Sequence, residues 1–113
     1  MLSADIQRRL IESLKCVDPQ KVILFGSHAY GDARSDSDID LLVVTQDDFL
    51  PKDFKEKNVL YLRVSEALTE IEKQIPIDLI VHTKVMHQRF IEMGGMFSRK
   101  VMSEGEVLYE KTH

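Results

Sequence analysis

Residues 25–44 read FGSHAYGDARSDSDIDLLVV and contain the features that decide the fold. An apolar run over residues 22–25 ends at Gly26, and a second run over residues 39–44 follows a polar loop. Short, continuous apolar runs rich in branched residues are typical of buried strands. The pair Gly26-Ser27 therefore follows one predicted strand directly, and Asp38 and Asp40 lie at the start of the next.

Outward from this stretch, apolar spacing near 3.6 residues predicts helices over residues 3–16, 53–73 and 84–93. A helical turn at 27–31 and a short helix around 97–102 are also expected. A third strand is predicted over 75–81 and a last one over 105–110. This order predicts an α/β chain with a small central sheet and helices packed mainly on one face, in a single domain spanning residues 1–113.

Composition narrows the function classes. The formal net charge is −4, and no basic run with interleaved aromatic residues occurs, which disfavours direct nucleic-acid binding. Cys16 is the single cysteine, so the sequence has neither an internal disulfide nor a CxxC zinc motif. The N-terminus is charged throughout, and no apolar stretch is long enough for a signal peptide or a membrane span. We expect a cytoplasmic protein.

Three carboxylates form the main candidate site. Side chains alternate along a strand, so Asp38 and Asp40 share a face. Asp78 interrupts the apolar run IPIDLIV, where an unpaired charge is costly. If the two strands are neighbours, all three carboxylates converge, and Mg²⁺ prefers such oxygen ligands. The alternatives are that Asp38 and Asp40 are solvated turn residues and that Asp78 pairs with a buried cation.

The turn at Gly26-Ser27 is a candidate anion site. Glycine lets the backbone approach a phosphate, free amides at the start of a helical turn bind anions, and the Ser27 hydroxyl is a further donor. A plain helix cap is the alternative interpretation. No GKS or GKT follows, so this is not a P-loop. The histidines show no metal-ligand spacing and are predicted to be surface or rim residues: His28, His82, His87 and His113.

The joint pattern of Gly-Ser, ten intervening residues, Asp-x-Asp and a later strand aspartate closely resembles the signature of the DNA polymerase beta-like nucleotidyltransferase superfamily. Length and element order are similar to the minimal nucleotidyltransferases (MNT), which are often the antitoxin half of HEPN/MNT toxin–antitoxin pairs. The resemblance implies the nucleotidyltransferase fold with a mixed sheet. It also implies a metal-dependent enzyme that uses two Mg²⁺ ions, or Mn²⁺, and transfers AMP from ATP to a hydroxyl.

The family's roles carry over onto matching residues. The resemblance implies that Gly26 and Ser27 hold the triphosphate, that Asp38 and Asp40 coordinate both metals, and that Asp78 binds the catalytic metal and helps to deprotonate the acceptor. In one departure, Tyr30 stands where many members have Arg. Arg34 lies close by in sequence and is a candidate for supplying the missing charge to the nucleotide.

The acceptor is not encoded in this pattern. The chain is too short to hold both this core and a large acceptor-binding domain, so we expect a partner protein to deliver the acceptor. By resemblance, that partner is a HEPN toxin and the acceptor one of its tyrosines. The alternatives are a non-catalytic antitoxin that acts by contact, and an antibiotic-type nucleotidyltransferase in which a homo-oligomer supplies the missing wall. Base preference and oligomeric state stay open.

Overall fold

The computed structural model describes residues 2–31 and 37–112. Helices and strands alternate along much of the chain, and most of them lie where the apolar pattern predicted. The helices and strands are α1 (Ala4–Leu14, continued by a 3-10 turn at Lys15–Val17), β1 (Lys21–Phe25), α2 (Ser27–Tyr30), β2 (Ile39–Val44), α3 (Phe54–Ala67), α4 (Thr69–Glu72), β3 (Ile77–His82), α5 (Lys84–Met93), α6 (Met96–Glu104) and β4 (Glu106–Glu110).

The four strands form one mixed sheet in the order β3-β2-β1-β4. Strand β1 pairs antiparallel with β2 and with β4, whereas β2 and β3 run parallel. The crossover from β2 to β3 passes through α3 and α4, as a parallel connection requires. The two central strands are almost wholly buried, and β3 and β4 are the edges of the sheet in the described part of the chain.

The sheet packs helices on both faces, but unequally. Alternate residues of β1 and β2, such as Val22 and Leu41, join α1, α3 and α4 in the larger core. The opposite face carries a smaller cluster, which is Ile23, Phe25, Leu42 and Val101, with Phe90 of α5 packed against it. The prediction of an α/β fold with a small mixed sheet is confirmed, and the larger of the two cores lies on one face of that sheet. Within residues 2–31 and 37–112, no helix is both long and apolar enough to cross a membrane.

The predicted helix over 53–73 is divided in two. At Leu68 the backbone leaves helical geometry (φ −99°, ψ 2°), while its side chain stays 1% exposed in the core. Ile71 of α4 is buried in the same cluster. The break keeps both apolar side chains in the core, whereas the periodic spacing in the sequence continues through it. At the other end, the Asp53 carboxylate accepts a hydrogen bond from the Glu56 amide and caps α3.

Candidate active site

The Gly-Ser turn joins β1 to α2. Gly26 has φ 74° and ψ −160°, a conformation that side-chain-bearing residues rarely adopt. Its carbonyl accepts hydrogen bonds from the amides of Ala29 and Tyr30, each at 3.0 Å. The first amides of a helix have no acceptor within the helix. The turn therefore presents backbone donors and the half-buried Ser27 side chain at one end of the sheet.

Gly26 also makes room for a carboxylate. Phe25 is the register partner of Asp40 across the antiparallel β1–β2 pair. A Cβ atom added at Gly26 would lie 1.9 Å from Oδ2 of Asp40, which is far inside van der Waals contact. The structure thus places the Asp40 carboxylate directly against the glycine turn. The sequence signature contains both residues, but only the sheet register brings them into contact.

Asp40 and Asp78 are adjacent. They are register partners in the parallel β2–β3 pair, so their side chains lie on the same face of the sheet. The pKa of Asp40 is raised, first by burial, then by the charge of Asp78 and a hydrogen bond with its carboxyl group, and then by the charge of Asp38. Asp78 itself is exposed. Two carboxyl groups in contact at a half-buried position repel each other when both are ionised.

Asp38 stands apart from this pair. It precedes β2, it is exposed, and its charge acts on Asp40 without a hydrogen bond between them. Among residues 2–31 and 37–112, no three side chains of His, Cys, Asp or Glu are grouped closely enough to hold a metal ion. The structure therefore brings together two of the three predicted ligands. Arg34, the predicted nucleotide contact, lies outside the described residues.

The donor set nevertheless suits a hard divalent cation. Asp40 and Asp78 offer oxygen ligands from neighbouring strands, and Asp38 adds negative charge beside them. A cation between the two carboxylates would remove the repulsion that adds to burial in raising the pKa of Asp40. Asp40 and Asp78 are thus the residues that can hold Mg²⁺, and Asp38 is close enough for its charge to act on Asp40.

Two residues at this site were not predicted. The Nε2 atom of His28 lies 3.0 Å from the carbonyl oxygen of Ser37, so it ties α2 to the backbone just before Asp38. The electrostatic interaction with His28 lowers the pKa of Asp40, against burial and the carboxylate charges that raise it. His28 lies within the signature loop, which was its only signal in the sequence.

Lys100 is the other unpredicted residue. Its Nζ atom lies 4.8 Å from the centre of the Tyr30 ring, a cation–π distance. Helix α6 carries this lysine to α2 from 70 positions along the chain. A positive charge therefore accompanies the tyrosine that departs from the family pattern. No local pattern could have indicated this contact.

The sequence is similar to that of known nucleotidyltransferases over most of its length. Residues 8–113 match the family model described as "Polymerase beta, Nucleotidyltransferase". A relative from Methanocaldococcus jannaschii, which is named as a protein adenylyltransferase, is 35% identical over 92 residues, or 80% of this chain and 78% of the relative.

Solved structures share the fold. A crystal structure described as a nucleotidyltransferase of Sulfolobus solfataricus superimposes with a TM-score of 0.59 at 20% identity, over 94% of this chain and 78% of that one. A toxin–antitoxin crystal structure with AMP-PNP gives a TM-score of 0.58 at 19% identity, over 94% of this chain and 74% of that one. The family match and the 35% identical relative together show that the chain belongs to the polymerase beta-type nucleotidyltransferases.

Proposed function

We propose that this chain, acting as one domain in the cytoplasm, transfers AMP from Mg²⁺-ATP to a hydroxyl of a partner protein. The favoured acceptor is a tyrosine of a HEPN toxin, which the transfer would neutralise. The observation that carries the proposal is the contact of Asp40 with both Asp78 and the Gly26 turn. The name of the Methanocaldococcus relative and the toxin–antitoxin neighbour with AMP-PNP both accord with it.

The residues divide into two functions. Gly26 and Ser27 would bind the triphosphate through backbone amides and a hydroxyl, and Lys100, which lies over Tyr30 at the other end of α2, would add positive charge. Asp38, Asp40 and Asp78 would hold two Mg²⁺ ions, which supply charge neutralisation for the attacking and leaving oxygens when bound.

The transfer itself is a displacement at phosphorus. The acceptor oxygen attacks the α-phosphorus, and its proton passes to the Asp78 carboxylate. The bond from the α-phosphorus to the bridging oxygen breaks, and pyrophosphate leaves with the electron pair. Asp78 suits the proton-accepting function because it is the exposed member of the carboxyl pair, open to an incoming hydroxyl.

The test is transfer of labelled AMP from ATP to the purified partner toxin in the presence of Mg²⁺. Asp40→Asn and Asp78→Asn should each lower the rate at least about 100-fold, since each removes a group that acts on the reacting atoms. Asp48→Asn is the matched control, because its carboxylate is 86% exposed and remote from the pair. Transfer that survives in both site variants would overturn the proposal.

The competing hypothesis of neutralisation by contact makes a different prediction in cells. If contact is sufficient, the Asp40→Asn protein should still protect cells from the toxin. If AMP transfer is the mechanism, protection should disappear although the variant protein is present at the wild-type level. Protection by the variant at equal abundance would favour the binding module.

A further inference from the structure

The sheet order sets the direction from which an acceptor must come. Gly26-Ser27 follows β1, Asp40 lies on β2, and Asp78 lies on β3, so the three occupy successive positions across the sheet. An in-line displacement places the attacking and leaving groups on opposite sides of phosphorus. If the triphosphate lies at the Gly26 turn, the acceptor hydroxyl lies beyond Asp78, at the outer edge of β3.

That edge carries free backbone groups. The Ile39 amide donates to the Pro76 carbonyl at 3.0 Å, and the Thr45 amide donates to the His82 carbonyl at 2.8 Å. In a parallel ladder with this register, the even-numbered residues of β3 bond to β2. The amides and carbonyls of Leu79 and Val81 therefore point outward, where the described part of the chain provides no neighbouring strand.

A groove runs along the same edge. Leu79, Ile80, Val81 and His82 all line one cavity of about 430 Å³, although consecutive side chains of a strand point to opposite faces. Such a cavity follows the edge of the strand. Its walls are completed by side chains of α3 and by Met86 of α5; the α3 side chains include Phe54, Lys57 and Tyr61. We call this the edge groove.

The edge groove has apolar walls and one positive charge. Phe54 is 79% exposed and Tyr61 is 38% exposed, which is unusual for large aromatic residues without a partner. Lys57 and His82 both line the groove, and the charge of Lys57 adds to burial and the charge of His87 in lowering the pKa of His82. The described lining includes no acidic residue. An occupant with apolar and acidic side chains fits these walls.

We propose that an extended segment of the acceptor polypeptide pairs with β3 as an added strand and presents its hydroxyl to Asp78. Its backbone bonds to the amides and carbonyls of Leu79 and Val81. A residue opposite Asp78 then lies one strand spacing away, about 4.8 Å, on the same face. Alternate side chains enter the edge groove, an apolar one toward Phe54 and an acidic one toward Lys57. This mode is β-augmentation, and it rests on the function proposed above.

Amide hydrogen exchange on the wild-type protein gives the first test. On addition of purified partner toxin, the Leu79 and Val81 amides should become protected, measured residue by residue by NMR. The Ile80 and His82 amides should be protected both before and after, because they already bond to β2. No added protection at residues 79 and 81 in a complex that transfers AMP would overturn strand addition and leave the proposed function standing.

A proline at the edge tests the backbone bonds. Val81→Pro removes an outward amide and leaves the β2–β3 hydrogen bonds in place. An edge strand tolerates proline at such a position. Val81→Ala keeps that amide and loses packing only. Transfer to the toxin should fall at least about tenfold further in Val81→Pro than in Val81→Ala. Equal rates in the two variants would contradict the proposal.

Charge reversal at two lysines of α3 tests the acidic contact. Lys57→Glu should raise the KM for the toxin several-fold, whereas Lys55→Glu, which faces a different depression on the same helix, should not. Binding of Mg²⁺-AMP-PNP should be equal in both, which separates a defect in the groove from one in the nucleotide site.

Two other outcomes can be distinguished from a failure of strand addition by the toxin. If wild-type protein transfers no AMP to the toxin, the proposed function itself fails. If the Leu79 and Val81 amides become protected without toxin as protein concentration rises, the occupant is a second copy of this chain, and that result also overturns the proposal.

Discussion

At the scale of single residues, Gly26 is required for two separate reasons. Its φ of 74° lies in the left-handed region, and its missing side chain leaves the space that Oδ2 of Asp40 fills. Gly31, five residues later, has φ 88° but no atom within 4 Å of an added Cβ. The two glycines therefore share the conformational requirement and differ in the steric one, so they form a matched pair.

Gly26→Ala should displace the Asp40 carboxylate and lower AMP transfer at least about 100-fold. Gly31→Ala carries only the backbone strain, about 1–2 kcal/mol, and should retain most activity. Urea unfolding and transfer assays on both variants measure the two effects separately. Equal activity in the two variants would show that Asp40 does not depend on the space at Gly26.

Lys100 is the second test at this scale. Its Nζ atom lies over Tyr30, at the end of α2. Lys100→Ala should weaken Mg²⁺-AMP-PNP binding several-fold, in line with about 1 kcal/mol for one charge near a phosphate. Arg99→Ala removes an exposed cation from the preceding position of the same helix and serves as the control. Calorimetric titration should show a weaker Kd for Lys100→Ala alone.

At the scale of secondary-structure elements, α5 depends on Thr83, the N-cap residue that precedes it. Thr83 is fully buried, and its hydroxyl accepts a hydrogen bond from the Met86 amide at 3.1 Å. This cap sets where α5 begins, immediately after β3, and so fixes one wall of the edge groove. Helix α5 is then joined to α6 by Ser98, whose hydroxyl donates to the Phe90 carbonyl at 2.7 Å.

Thr83→Ala should lower the free energy of unfolding by about 1–2 kcal/mol relative to Thr83→Ser, which keeps the capping oxygen. Both variants lose the γ-methyl group, so the difference reports the hydrogen bond. Urea denaturation followed by circular dichroism measures it. Equal stabilities would mean that the Met86 amide finds another acceptor.

At the scale of the whole molecule, an imidazole and phenyl cluster joins β3 to the two last helices. His82 and His87 have their Nδ1 atoms 3.4 Å apart, and the His82 ring lies 5.1 Å from that of Phe90. Burial, the charge of His87 and the charge of Lys57 lower the pKa of His82 to about 4. Burial and the charge of Lys21 also lower the pKa of His87.

These shifts make folding pH-dependent. A histidine whose folded-state pKa is depressed takes up its proton more readily in the unfolded chain. The free energy of unfolding is therefore highest above about pH 6.5 and falls toward pH 4. We expect His82 alone to account for roughly 2–3 kcal/mol over that interval. His82→Phe keeps a ring in the cluster and should flatten the curve of unfolding free energy against pH. An unchanged slope would assign the dependence to other groups.

The sequence by itself determined most of the elements and the family. The apolar runs of β1 and β2 and the helical period of α5 depend on local spacing, which is why their bounds match the structure closely. The aspartates and Gly26-Ser27 could be recognised because their chemistry requires fixed residue types at fixed separations.

Only the tertiary structure decided which of these residues are in contact. Sheet order put Asp78 beside Asp40 and made β3 an edge strand within residues 2–31 and 37–112, and α6 carried Lys100 to Tyr30. Such contacts join residues far apart in the chain, and the free energy that selects them comes from burying the whole core. No short window of sequence contains that information.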